Sequence, residues 1–255
     1  MHPVICLQQQ EIDLAPLSKL EFGIPNSMVA IMTPVEETPR LIDQVYQRLL
    51  NAIVDHTLPP GCRIRQGELA DRLGVSRQPV SHALHLLYQQ GLVTEAGRKG
   101  FRVTPMDPEY ICRLYEVRSA LDALAAQLAA LRSRDDRVGR RKLEDAFRNG
   151  CGISADTPLA ELIELDMTFH QALYALSGNP VIKETISPLW PHMGRSMACV
   201  LSTPRYFATV WQEHQAITEL VLASNAEGAE HAARAHALAA GQLIEERLKT
   251  SNEAA

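Results

Sequence analysis

Between Arg40 and His56 the apolar positions Leu41, Val45, Leu49, Leu50, Ile53 and Val54 recur at the three-and-four spacing that lines one face of a helix. The run Leu58-Pro59-Pro60-Gly61 stops that helix. A second, shorter helix is expected over Gln66 to Leu73, with Leu69, Ala70 and Leu73 facing inward, and Gly74 permits a sharp turn after it. Ser76 then offers an N-cap oxygen, and Pro79 falls in a first turn where its missing N–H costs little. Val80, Leu84 and Leu87 give the third helix its inner face until Gly91 ends it. Leu92-Val93-Thr94 and Phe101-Arg102-Val103 can pair as strands across the basic, glycine-bounded tip Gly97-Arg98-Lys99-Gly100.

Helix, helix, turn, helix and basic hairpin make a winged helix-turn-helix. Beyond Pro105 the period stays helical to the end of the chain, cut into about six helices by breaks near Ser133, Gly150, Gly178, Pro204 and Ser224. Short connections between long amphipathic helices imply antiparallel neighbours in a bundle. The expected fold is therefore mainly α: an N-terminal winged helix-turn-helix at 37–105 and a C-terminal all-α antiparallel helical bundle at 106–250. Residues 1–36 keep no sustained period and are expected to form a poorly ordered extension.

Composition narrows the picture. A chain of 255 residues suits two domains, each burying its own core. No apolar run approaches the roughly 20 residues of a membrane span. The N-terminus carries Glu11 and Asp13 instead of a basic, then apolar, leader. The five cysteines Cys6, Cys62, Cys112, Cys151 and Cys199 are scattered without a CxxC pair, as expected of reduced thiols, so a cytoplasmic protein is expected. The formal charge of −5 divides unevenly: residues 37–105 carry nine Lys/Arg against six Asp/Glu, whereas both flanking regions are acidic. The basic excess sits on the winged segment, where double-stranded DNA would bind.

In such a motif the helix after the turn enters the major groove, with residues near its N-terminus touching base edges and phosphates. Those residues are Ser76, Arg77, Gln78, Ser81 and His82. Arg77 can grip guanine or a phosphate, and Gln78 has the donor–acceptor pair that suits adenine. Arg98 and Lys99 on the wing should reach phosphates or the minor groove. Taken singly, each is as readily a solvated surface residue; together they fall on one face. Leu58-Pro59-Pro60-Gly61, Glu68-Leu69-Ala70, Leu73 to Val80, Gly91-Leu92-Val93 and the glycine-bounded wing resemble the GntR family of regulators over 37–105. Ser81 departs from the arginine or similar polar residue of that family, which implies an altered operator preference.

The rest resembles the helical effector domain of the FadR subfamily, called FCD, over about 107–245. Leu114-Tyr115-Glu116-Val117-Arg118, Asp166-Met167-Thr168-Phe169-His170 and Ser177-Gly178-Asn179-Pro180 carry the likeness. Asp166 and His170 are four apart and project from one helical face. The resemblance adds His214 and His236, which stand where the family has its other metal-binding histidines; His192 and His231 fit that pattern less well. One carboxylate and three imidazoles suit a divalent transition metal, zinc first, with nickel, manganese, cobalt or iron also accepted.

Open metal positions could take a carboxylate from a small organic acid effector, clamped by a buried Arg118, with Asn179 and Arg205 at the pocket rim. An internal ion pair of Arg118 with Glu116 or another acid is the competing account. The whole reads as a homodimeric, effector-controlled transcriptional regulator on a palindromic operator, with no membrane partner and no enzymatic activity. Its rivals are a constitutive DNA-binding dimer with a structural helical domain and, further off, a metal-dependent hydrolase.

Overall fold

The computed structural model describes residues 40–97, 100–154, 156–201 and 203–253. The expected N-terminal extension and the wing-tip residues Arg98 and Lys99 lie outside them. The head begins with α1 (Arg40–Val54), whose inner face is Val45, Leu49 and Ile53, while Leu41 is exposed against expectation. The helix closes two residues before His56, which takes a φ of +63° as the Leu58 N–H folds back onto the Ala52 carbonyl. β1 (Arg63–Ile64) leads into α2 (Gln66–Leu73), which ends in a left-handed Gly74. α3 (Arg77–Gln89) follows, burying Val80, Leu84 and Leu87, and the chain leaves it through Gly91 with a φ of +73°.

β2 (Val93–Glu95) and β3 (Phe101–Val103) pair as expected, Val93 opposite Val103. The tip is closed by the Ala96 N–H on the Gly100 carbonyl. Strand β1 adds to the far side of β3, giving a three-stranded antiparallel sheet in the order β1-β3-β2. Two residues are too few for a period, so β1 leaves no pattern in the sequence.

Among the described residues, seven α-helices follow: α4 (Pro108–Arg132), α5 (Arg137–Cys151), α6 (Leu159–Ser177), α7 (Pro180–Ile186), α8 (Trp190–Leu201), α9 (Pro204–Leu222) and α10 (Ala226–Glu253). The break missed in sequence is the single 3-10 turn Ser187–Leu189, which separates α7 from α8. Asp107 caps α4 by accepting the Glu109 N–H, and Pro108 fills its first position. The inner face of α4 is built from Ala123, Ala125, Ala126, Ala129 and Ala130. These small side chains let α10 lie close alongside, and Gly241 of α10 packs where a Cβ would come within 2.6 Å of Tyr115. Two apolar cores result, one from Val45 to Val103 and the other from Ile111 to Leu248.

The tightest approach is that of Gly150 at the end of α5, where an added Cβ would stand 1.6 Å from the Trp211 ring. The Trp211 indole N–H is held by the Phe147 carbonyl at 2.9 Å, so the ring cannot simply swing aside. Gly150→Ala should destabilise the helical domain by about 1–3 kcal/mol, the usual cost of overpacking. Urea denaturation followed by tryptophan fluorescence checks this; an unchanged midpoint refutes the close contact.

Candidate metal centre and nucleic-acid interface

Three helices converge on the centre: α6 brings Asp166 and His170, α9 brings His214 and α10 brings His236. One ligand atom from each histidine lies within 4.8 Å of the others, and all three side chains are buried. The Asp166 carboxylate stands 3.5 Å from His214 Nε2 and 3.8 Å from His170 Nε2. Asp166 Oδ2, His170 Nδ1 and both His214 ring nitrogens have no hydrogen-bond partner. Leaving buried polar atoms unmet costs roughly 1–3 kcal/mol each. Four in one place make sense as a donor set for a cation, and imidazole with carboxylate is the chemistry of divalent transition metals.

The surroundings fix these donors. Phe169 stacks on His214 with ring centroids 3.9 Å apart, and Trp211 meets the same imidazole edge-on at 4.7 Å. His236 Nδ1 pairs with Glu213 Oε2 at 2.7 Å, which sets the ring orientation and leaves Nε2 for the cluster. Burial holds His170 and His214 well below the ordinary imidazole range and raises the Asp166 carboxyl to about 6, with Arg118 and His236 pulling it back down.

His56 and His192 are lowered by burial as well. Below about pH 6.5 the unfolded chain therefore takes up protons at these four imidazoles more readily than the folded chain does, and stability drops as pH drops. Asp166 opposes this, since a raised carboxyl favours the folded state at low pH and loses that advantage as pH rises through about 6. His170 and His214, held well below the ordinary range, outweigh the single carboxyl, whose advantage is only beginning at pH 5.5. The metal-free protein should unfold at lower urea at pH 5.5 than at pH 7.5; equal midpoints contradict the buried neutral imidazoles.

Arg118 of α4 is 1% exposed, as expected. The internal ion pair of the competing account is present, with Asp122 as the acid instead of Glu116: Nε donates to Asp122 Oδ2 at 3.1 Å, and the Tyr174 hydroxyl donates to the other Asp122 oxygen. Burial pulls the guanidinium pKa down, but Asp122, Tyr115, Tyr174 and Asp166 outweigh it and the net direction is up. A second Arg118 nitrogen lies 2.6 Å from His170 Nε2, so the guanidinium touches the donor cluster itself. Asp122 and Glu213 escaped the sequence reading, although Arg118 and Asp122 are spaced i, i+4. Asn179 is placed otherwise than expected: its side-chain oxygen caps α7 by accepting the Val181 N–H at 3.1 Å. The Arg205 side chain is outside the described residues. Next to the centre, with Trp211 as the shared wall, Phe207, Leu162 and Leu201 line a cavity of about 590 Å³.

On the head, Ser76, Arg77, Gln78, Ser81 and His82 are all exposed at the start of α3. Ser76 occupies the N-cap position, but its hydroxyl accepts no capping bond and remains available. The Arg77 guanidinium lies over the first turn of α2, 3.4 Å from where a Gly67 Cβ would be. Missed in sequence were Arg63 and Arg102, exposed and directly opposite each other on β1 and β3. Like charges so paired repel each other.

An exposed helix behind a tight turn, a small sheet flanking it, and a helical domain carrying a closed donor cluster define a two-part DNA-binding regulator. The comparisons agree. Residues 41–103 match the pattern of bacterial regulatory proteins of the gntR family, and residues 113–239 match the FCD domain. An uncharacterized HTH-type transcriptional regulator from an unstable DNA locus of Streptomyces ambofaciens is 31% identical over 79% of this chain and 84% of its own. A putative L-lactate dehydrogenase operon regulatory protein of Escherichia coli is 28% identical over 77% of this chain and 83% of its own. A putative transcriptional regulator GntR from Rhodococcus has the same fold, with a TM-score of 0.67 at 22% identity over 80% of this chain and 96% of that one. The chain belongs to the GntR family, in its FCD-containing branch. It is a transcriptional regulator; its relatives regulate transcription and are not enzymes. Among the described residues no helix is long and apolar enough to cross a membrane.

Proposed function

We propose that the protein controls transcription from a palindromic operator, and that a small carboxylic acid bound at a divalent metal in the helical domain sets its affinity for that DNA. The observation that carries this reading is the buried cluster of Asp166, His170, His214 and His236, in which Asp166 Oδ2, His170 Nδ1 and both His214 ring nitrogens lack hydrogen-bond partners, with Arg118 against it. A divalent ion there supplies a Lewis-acidic point that can take an oxyanion. Arg118 supplies the guanidinium beside it, already oriented by Asp122, and one carboxylate can engage both. The Escherichia coli relative, named as a putative L-lactate dehydrogenase operon regulatory protein, is in keeping with a carboxylate signal.

In this reading residues 37–105 form the DNA-reading head and 106–250 the sensing and pairing domain. Ser76, Arg77, Gln78, Ser81 and His82 face the major groove, and Arg98 and Lys99 serve phosphates or the minor groove. The opposed Arg63 and Arg102 find in phosphate the anion their repulsion calls for. A second copy of the chain covers the outer face of α4, where Tyr110, Val117, Leu124 and Leu131 are exposed at intervals of seven residues and so form one apolar stripe.

The test is operator binding by metal-loaded protein across a panel of small carboxylic acids. One acid should shift the apparent Kd by about 5–150-fold, the usual span of allosteric coupling, and chelation should abolish that shift. A shift that persists in chelated protein removes the metal from the mechanism. Arg77→Ala should weaken operator binding by about 10–100-fold with unchanged metal content, measured by fluorescence anisotropy and elemental analysis.

A further inference from the structure

Among the described residues the buried side-chain polar atoms without a hydrogen-bond partner fall into two groups. Four belong to the centre formed by Asp166, His170 and His214; the other three are His56 Nε2, Thr104 Oγ1 and Arg195 Nε. This second group lies where the head meets the helical domain. Arg195 of α8 is 2% exposed and donates to the Thr104 carbonyl, and its backbone and charge both act on the His56 imidazole. Gln90, Gly91, Thr104, Tyr110, His192 and Arg195 border a cavity of about 350 Å³ there, within the range of small-ligand pockets.

We propose that this junction cavity is a second ligand site, which binds a small oxyanion, carboxylate or phosphate, through the Arg195 guanidinium. Arg118 shows what a buried guanidinium requires, since its charge is met by Asp122 at 3.1 Å. Arg195 has no such counterpart: none of the ion pairs among the described residues includes it. The acid on the cavity wall, Asp107, is exposed and uses an oxygen to cap α4. Burial accordingly pushes Arg195 down to about 10. An uncompensated buried cation is costly, and an anion held in the cavity beside the Arg195 side chain reduces that cost. The Thr104 hydroxyl and the His56 Nε2 are the further unmet polar atoms at the same junction.

The site touches the DNA-reading element directly. His192 Nε2 is 2.8 Å from the Gln90 carbonyl at the end of α3, so an occupant beside His192 bears on the rear of the helix that reads DNA. This inference does not depend on the metal centre.

The experiment uses full-length His214→Ala protein, so that any response of the metal centre is removed, together with the wild type. The probes are inorganic phosphate and benzoate, followed by thermal shift and by titration calorimetry. A saturable shift with phosphate alone assigns a phosphorylated ligand, with benzoate alone a carboxylic acid, and with both a general oxyanion site; each supports the proposal. Arg195→Gln should then bind the probe at least about tenfold more weakly. Met106→Trp, which fills the cavity and leaves Arg195 in place, should do the same and serves if Arg195→Gln does not fold. The proposal is overturned if neither probe gives a saturable shift, if the response disappears in His214→Ala while present in wild type, or if Met106→Trp binds as wild type does.

Discussion

His214→Ala protein should emerge from purification with background metal, against about one divalent ion per chain in the wild type, while its circular dichroism and its binding to operator DNA persist. The imidazole is fully buried, flanked by Phe169 and Trp211, and 3.5 Å from Asp166. Loss of a residue that merely orients a ligand typically lowers metal affinity about 10–100-fold, so loss of a ligand itself should exceed that range. Glu213→Gln, which keeps the ring hydrogen bond to His236 but removes the carboxylate charge, should fall inside it. Elemental analysis of the three proteins decides the matter. Equal metal in wild type and His214→Ala rules the centre out, whereas equal metal in wild type and Glu213→Gln leaves the centre standing and removes only the orienting role.

Arg118→Leu should cost about 3–5 kcal/mol of stability, the penalty for breaking a buried ion pair and stranding one charge. Both partners are about 1% exposed, so solvent does little to screen the loss. Adding Asp122→Leu should recover a large part of it, because the stranded carboxylate goes too; the Tyr174 hydroxyl then loses its acceptor, which keeps the recovery incomplete. Neither variant should answer to a carboxylic acid effector. Urea denaturation of the two variants beside the wild type gives the measurement. A single variant within 1 kcal/mol of wild type contradicts the buried pair.

What the sequence made legible, and what it hid, follows the range of the interactions. The turn between α2 and α3, the burial of Val80, Leu84 and Leu87, and the pairing of β2 with β3 were readable because each is encoded within a dozen residues. Asp166 with His170 was readable for the same reason. His214 and His236 came from family likeness, since nothing local distinguishes a ligand histidine from a packed one. Glu213 was hidden because its role depends on His236 in another helix, whereas the i, i+4 spacing of Asp122 to Arg118 was readable and only its bond from Tyr174 is distant in the chain. The capping role of Asn179 was overlooked, because an asparagine before a proline serves a helix start as readily as a pocket. Strand β1 was hidden by its brevity.

The join between β3 and α4 spans only residues 104–107. Four residues reach at most about 14 Å when fully extended, and here Thr104 is tied at both ends, its N–H to Leu92 and its carbonyl to Arg195. The head thus has almost no tether on which to pivot. For the symmetric pair of chains proposed above, that short join becomes a phase requirement on the DNA. Five base pairs inserted at the centre of an operator, about half a helical turn, would present one half-site on the wrong side of the duplex, with no slack in the protein to follow it.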